Sequence, residues 1–550
     1  MRIATFVLTA LIAASSALSG FAQEAPKKKL IELGWDIPTT EYIRKHWQEM
    51  EKNAPFDGIM YDLVATAPDG KRVASQELFT REPWKREWFK TCVDDLNACQ
   101  FKRYRNNFIR MNFHPAPFDW ADDGAWSNLC EKAAICAWVA RETNGDLSFD
   151  FESYGAAMFR HDPSTGRSFE ESAALARKRG AEMCAAIVKE YPDVVILCLW
   201  MNSINFGAGR SPNPDAVLAG ASYGLLPSFI NGLLDAAAPE TVFVDGCENG
   251  YYMNGDAEYD RAALNMILAT GPAVRLVAPE NRKKYRAQTQ VGFGYYLDMY
   301  SNPEGSNYYR GPEPGETRFD RFAANLRAAW NAADEYVWIY GEQKRWWAPE
   351  NAASDDDWTS WEEALPGITD FLFELTDPEG AILAAKERTL NNPNRENLIK
   401  NGDFAKIAEN GQPDGWGTWQ IETHPTGKFT SKDGAALLKG MTNGCYIQSI
   451  SVNPGERYFV MAKTAFEKNS RSQIRVRWQD ANGRWVAEAD DVMIVPDANS
   501  APGEDVEIFG VAVVPPNAYR LTVLLSASGD GKSDATFDDA QVYRVAPVKQ

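Results

Sequence analysis

The sequence predicts an α/β protein, a (β/α)₈ barrel followed by an all-β sandwich domain. Three observations carry this. Between residues 30 and 345, eight short apolar or β-branched runs alternate with longer amphipathic ones, the order that builds a closed parallel sheet inside a ring of helices. The turn after the first run, from Trp35 to Tyr42, has none of the glycines that an open doubly wound sheet would use there as a phosphate loop. Beyond Leu390 the helical periodicity stops, and alternating runs broken by Gly, Asn, Asp and Pro turns continue to Val545.

Taken in order, the chain opens with Arg2, an uncharged apolar stretch to Leu18, and small residues at Gly20 and Ala22. That pattern predicts a secretory signal peptide over residues 1–22 and therefore export to the periplasm or beyond the cell. Its apolar part is too short to span a bilayer, and no later stretch reaches the roughly 20 apolar residues a spanning helix needs. The strands are expected at Leu30–Gly34, Phe56–Asp62, Asn107–Phe113, Leu147–Glu152, Val194–Trp200, Thr241–Asp245, Val291–Leu297 and Glu335–Tyr340. Helices are expected between them, among others from Trp126 to Asn144, stopped by Gly145, and from Phe169 to Tyr191, stopped by Pro192. A last helical region from Trp358 to Leu390 completes the barrel, expected over residues 23–390. The linker is 391–396, opening Asn391-Asn392-Pro393-Asn394, and the sandwich is 397–550.

Composition narrows the partners. A net charge of −19 repels a phosphate backbone, so nucleic acid is not an expected partner, while a neutral ligand is indifferent to that field. Eight cysteines in 550 residues are too few for a disulfide framework. Cys184 and Cys198 sit in apolar runs and read as small buried hydrophobes; export would permit a disulfide or two, with no pairing readable. There is no C-x-x-C, and the four histidines are far apart, so no catalytic transition metal and no cofactor for catalysis are expected.

In a barrel of this kind the polar residues at the C-terminal ends of the strands form the site. The first three ends offer Trp35 and Asp36, then Asp62, then Arg110, Asn112 and His114. The fourth reads Phe149-Asp150-Phe151-Glu152: at a period of two, both carboxylates face the barrel mouth and both rings face the helices. Two neighbouring acids cannot both ionise cheaply, so one is expected to keep its proton, as the protonation of a leaving glycosidic oxygen requires. Later ends add Trp200 and Asn202, then Asp245, Glu248 and Tyr251, then Tyr340, Glu342, Arg345 and Trp346. Carboxylates interleaved with aromatic residues describe a cleft for polyols.

Three resemblances sharpen this. Asn397–Phe404 (NLIKNGDF), Gly411–Trp416 (GQPDGW) and Ala535–Val545 (ATFDDAQVYRV) resemble carbohydrate-binding modules of the families 4 and 9 type, over the last 150 or so residues. That implies a jelly-roll fold, sugar binding on platforms among Trp416, Trp419, Trp478 and Trp485, and a structural calcium at Asp403 and Asp539. The barrel is similar to glycoside hydrolase barrels, and Phe149–Gly155 (FDFESYG) resembles the Asp-x-Glu ending of strand four in family 18 chitinases. The upstream Asp-Gly of that family is absent, since Leu147 follows Asp146, so chitinase specificity does not carry over. What carries over is Glu152 as acid with Asp150 as its partner. Tyr223–Asp235 and Val244–Tyr252 look like an uncharacterised group of exported bacterial barrels, which implies no substrate.

The expectation is thus an exported glycoside hydrolase acting on a polysaccharide or oligosaccharide. Glu152 is the general acid, and Glu342 or Asp245 is the nucleophile or the base for water. An arrangement like that of α-galactosidase barrels would instead make Asp150 the nucleophile and Asp245 the acid. Two other classes stay open: a glycan-binding protein without catalysis, and a polysaccharide lyase built on His114 and Arg110.

Overall fold

The structure, a computed structural model, describes residues 27–114, 118–152, 157–349, 358–423 and 427–546; the expected signal peptide lies outside them. The chain divides into two compact units, Met1–Tyr309 with Phe322–Ala364, and Arg310–Arg321 with Leu365–Gln550. The expected linker, 391–396, falls inside the second unit.

Among the described residues of the first unit, the main sheet has nine parallel strands. Tyr336–Gly341 lies between Phe293–Tyr296 and Lys29–Gly34. From Lys29–Gly34 the order continues through Gly58–Tyr61, Phe108–Asn112, Asp146–Asp150, Val195–Cys198, Val242–Asp245 and Thr289–Val291. The two outer members, Thr289–Val291 and Phe293–Tyr296, are consecutive in the chain with Gly292 alone between them, so the sheet is nearly closed. This corrects the expected count of eight. The seventh run starts two residues early and breaks at Gly292, where a side chain would stand 2.7 Å from Val244 Cγ1 and 3.0 Å from the Tyr336 carbonyl.

The helices start where side chains satisfy their open N–H groups. Asp122 caps Asp123–Glu142, accepting from Ala125 N at 3.0 Å. Ser168 and Glu171 form a reciprocal capping box on Phe169–Glu190, which ends one residue before Tyr191-Pro192. Both spans agree closely with the sequence reading. Between sheet and helices, Phe149 and Phe151 pack against Phe113, Phe159 and Phe229 with ring centroids 4.8–6.1 Å apart. The rings of strand four thus face the helices, as the alternation requires.

In the second unit two antiparallel sheets of five strands face one another. Their shared core includes Tyr446, Val460, Val476, Trp478, Leu525 and Phe537. The helix Pro378–Leu390 belongs to this unit: Ala385 and Leu390 pack on Phe459, Met461 and Tyr543. All eight cysteines are free thiols. Among the described residues no helix is long and apolar enough to cross a membrane.

Candidate functional site

The C-terminal ends of the barrel strands surround a cavity of about 470 Å³. Strand four supplies one wall. Ser148, Asp150 and Glu152 all line the cavity, and the Glu152 backbone N–H donates to Asp150 Oδ1 at 2.9 Å just past the strand's last residue. That bond fixes the turn by which Glu152 follows Asp150 into the mouth.

Strand three brings Arg110, Asn112 and His114 to the same cavity. Arg110 arrives already neutralised: it donates through Nε and Nη2 to the two oxygens of Asp62, and through Nη2 to Gln76 Oε1 at 2.9 Å. Asn112 is only 6% exposed, and its Oδ1 has no hydrogen-bond partner.

After strand six the backbone turns at Cys247, which adopts a left-handed conformation with φ 35°. Such a φ is uncommon outside glycine, and no sequence pattern flagged it. It delivers Glu248 to the cavity. Burial above all, then the charges of Glu152 and Asp150, push the Glu248 carboxyl up to about 8. The sequence places Glu248 in the cleft without a catalytic role, and nothing in it shows that this carboxyl feels the charge of Glu152. The signal was present as a carboxylate three residues past a strand end.

The opposite wall is aromatic. Tyr251 and Tyr340 stack at 6.1 Å and 6°, Tyr296 and Tyr340 at 5.5 Å, and Trp338 meets Tyr251 at 5.5 Å. Gly294 makes this closeness possible, since a side chain there would collide with Trp338 Cζ2 at 2.5 Å and Tyr251 Cε1 at 3.0 Å. Glu342 closes this side. Its backbone N–H and that of Gln343 donate to Asp298 at 2.7 and 3.2 Å, and its charge helps hold the Tyr296 and Tyr340 hydroxyls in their protonated form, after burial as the larger cause. At the rim Trp35 Nε1 donates to the Tyr340 hydroxyl at 2.9 Å.

No family model and no curated protein matches this chain. Solved structures do. A bacteriophage CBA120 tailspike protein 4 enzymatically active domain matches at 16% identity and TM-score 0.21, over 27% of this chain and 21% of that one. A CBM4 structure matches at 19% identity and TM-score 0.20, over 26% and 99%. The module TmCBM61, solved with β-1,4-galactotriose, matches at 18% identity and TM-score 0.19, over 27% and 99%. Carbohydrate-binding modules therefore recur among the structural neighbours, at identities and scores too low to carry a site assignment.

Several expected site residues lie away from the cavity. Asp245 is 0% exposed, and its carboxylate accepts from Met201 N at 2.9 Å, Ser203 N at 3.0 Å, the Ser203 hydroxyl and Cys247 N at 3.4 Å. It ties the ends of strands five and six together. Trp200 and Asn202, chain neighbours of Met201 and Ser203, are buried too, Asn202 donating to the Ala273 carbonyl at 3.3 Å. Trp346 is packed edge-on against Phe56 at 4.9 Å. Asp36 accepts from Trp346 N at 2.8 Å and is pushed up to about 6 by burial. Beside it Glu32 is a fully buried carboxyl that burial and the Asp36 charge hold well above the usual range. Burial sorts these residues, and their polarity alone gave no sign of it.

In the sandwich, Trp416 and Trp478 are core. Trp416 Nε1 donates to the Asn401 carbonyl at 3.1 Å and Trp478 Nε1 to the Asp490 carbonyl at 2.7 Å. The expectation of Trp416 as a platform is corrected on that ground: its ring is not available to a ligand. Trp419 and Trp485 are 49% and 48% exposed, and the Arg477 guanidinium stacks on Trp485 at 4.4 Å. The calcium expectation rests on Asp403 and Asp539. Asp539 faces Lys463 Nζ at 3.4 Å and accepts from Gln541 Nε2. Asp403 accepts from Ala405 N at 3.4 Å, and no group of three His, Cys, Asp or Glu suited to a metal exists among the described residues.

Proposed function

We propose that this chain is an exported glycoside hydrolase acting on a polysaccharide or oligosaccharide, with the cavity as its active site and the sandwich as an attached carbohydrate-binding module. One observation carries the reading: Glu248, Glu152 and Asp150 converge at the mouth of a parallel barrel, opposite a wall of tyrosine and tryptophan rings. Hydrolysis of a glycosidic bond needs one carboxylic acid that still holds its proton and one ionised carboxylate. Sugar rings pack their C–H faces on aromatic side chains.

In this proposal Glu248 is the general acid. Burial and two neighbouring negative charges keep its proton at neutral pH. Glu152 is the ionised partner, acting as nucleophile or as base for water, and Asp150 holds it through the bond from Glu152 N. The strand-four alternation favours Glu152 as the acid, whereas burial and the charges of Glu152 and Asp150 favour Glu248. Trp419 and Trp485 are the proposed platforms of the module. The N-terminal residues up to Ala22 support export.

The test is release of new reducing ends from a panel of plant, algal and microbial glycans. Cleavage is expected for at least one of them, with a loss of about 10²–10⁴ in rate for Glu248→Gln and for Glu152→Gln. A fully active Glu248→Gln protein would return the acid role to Glu152. A wild-type chain that binds a glycan and cleaves none would make this a binding protein.

A further inference from the structure

We infer that the cavity takes an internal stretch of a glycan chain, with sugar units held on exposed aromatic platforms to both sides of Glu152 and Glu248, so that the protein cuts within chains. The inference deepens the active-site reading above and rests on it for the position of the cut.

The aromatic wall does not stop at the buried rings. From Tyr340 it runs to Tyr296 at 5.5 Å, on to Tyr308 at 5.5 Å and from there to Tyr252 at 6.4 Å. In the other direction the Tyr340 hydroxyl accepts from Trp35 Nε1 at 2.9 Å. All five residues line the cavity. The middle of this arc is covered, Tyr296 being buried and Tyr340 half-buried, whereas both ends are open: Trp35 is 64% exposed, Tyr252 52% and Tyr308 43%.

A single exposed ring is ordinary on a protein surface. Exposed rings at the two ends of one arc that is continuous with a cavity form the kind of contiguous apolar surface that marks a binding groove. Trp35 is moreover tied to Tyr340, so its flat face is oriented before a ligand arrives and little ordering cost is left for binding.

A site that trims chain ends has one open side and a blind wall beyond the terminal sugar. Here the acids face the arc between its ends: Glu248 lies within electrostatic reach of Tyr252, and Glu152 within reach of Tyr340. Sugar faces pack on such rings, so a chain laid along the arc has units on both sides of the bond that Glu152 and Glu248 address.

The experiment is calorimetric titration of the full chain carrying Glu152→Gln, which stops cleavage, together with Trp419→Ala and Trp485→Ala, which silence the sandwich. The probes are β-1,4-linked oligomers of glucose, xylose, mannose, galactose and N-acetylglucosamine, each from the monosaccharide to the hexasaccharide. In at least one series affinity should rise with length, by about tenfold for each platform covered. Adding Trp35→Ala should weaken the hexasaccharide about tenfold, and adding Tyr252→Ala should do the same. Melting should not change in either, since both rings are at least half exposed.

A monosaccharide bound as tightly as its hexamer, or no binding in any series, overturns the inference. So does an effect of only one of the two substitutions, which describes a pocket with a single open side. The two readings fail separately. Length-dependent binding that needs both ends, in a chain whose wild type cleaves no glycan, removes the hydrolase and keeps the groove. Cleavage that releases only single sugars, with no gain of affinity with length, keeps the hydrolase and removes the groove.

Discussion

Asp62 grips Arg110 through two parallel hydrogen bonds, Nε to Oδ1 at 3.0 Å and Nη2 to Oδ2 at 2.7 Å. Both side chains are largely shielded, so removing one partner leaves the other's charge poorly solvated. Asp62→Asn should lower stability by about 3 kcal/mol, the scale of breaking a buried pair from one side. Urea denaturation reads this directly, and an unchanged midpoint would mean that solvent replaces Asp62 freely.

Glu248 makes stability depend on pH. Its carboxyl ionises near 4.5 when unperturbed and at about 8 in the fold, so the folded state binds the proton more tightly. The associated stabilisation is complete below about pH 4.5 and is lost as pH rises to about 8. Gln at this position cannot ionise. The Tm of Glu248→Gln relative to wild type should therefore climb across that window and level off above it, while wild-type activity falls on the alkaline side near pH 8. A difference in Tm that ignores pH would show that the carboxyl titrates normally.

Asp245 is assigned a structural part. Its carboxylate collects four donors in a site closed to solvent, and an amide in its place brings one oxygen and an N–H that faces other donors. Asp245→Asn should cost about 2–3 kcal/mol and lower the yield of folded protein. Any activity loss should follow the unfolded fraction. A stable, fully folded and inactive Asp245→Asn protein would restore the catalytic role that its strand-end position suggested.

The four sandwich tryptophans should separate cleanly. Trp419→Ala and Trp485→Ala touch half-exposed rings and should reduce retardation on glycan affinity gels with little change in melting. Trp416→Ala and Trp478→Ala remove core rings and should destabilise the unit by about 3–5 kcal/mol. Loss of retardation in neither exposed variant would leave the module a purely structural one.

Fragments should show where the second unit begins. One starting at Asn397 loses the helix Pro378–Leu390 and uncovers Phe459, Met461 and Tyr543. It should aggregate or melt well below a fragment starting at Leu365. Equal behaviour would favour the boundary expected at residues 391–396.

The barrel was legible because its signal is periodic. Apolar runs, caps such as Ser168 with Glu171, and stops such as Pro192 each act within a few residues, so their effect can be read locally. The alternation at Phe149-Asp150-Phe151-Glu152 likewise fixed which side chains face the cavity. What escaped reading depends on close approach between distant segments. Gly292 splits a strand because Val244 and Tyr336 crowd it; Asp245 is sealed by Met201 and Ser203; and Trp416 and Trp419, three residues apart in one turn-rich stretch, end in the core and at the surface. Glu248 is visible as a residue, but its proton is set first by burial and then by Glu152 and Asp150, about 100 positions earlier in the chain.

The first barrel strand, Lys29–Gly34, is paired along its whole length with Tyr336–Gly341. On a ribosome adding about 10 residues per second, its second partner emerges roughly half a minute after it does. Through that interval the nascent sheet has one edge unsatisfied, the kind of edge that recruits chaperones or other strands. A chain terminated before Tyr336 would keep that edge open permanently. It would also lack Trp338, Tyr340 and Glu342, so the aromatic wall of the cavity arrives only with the strand that seals the sheet.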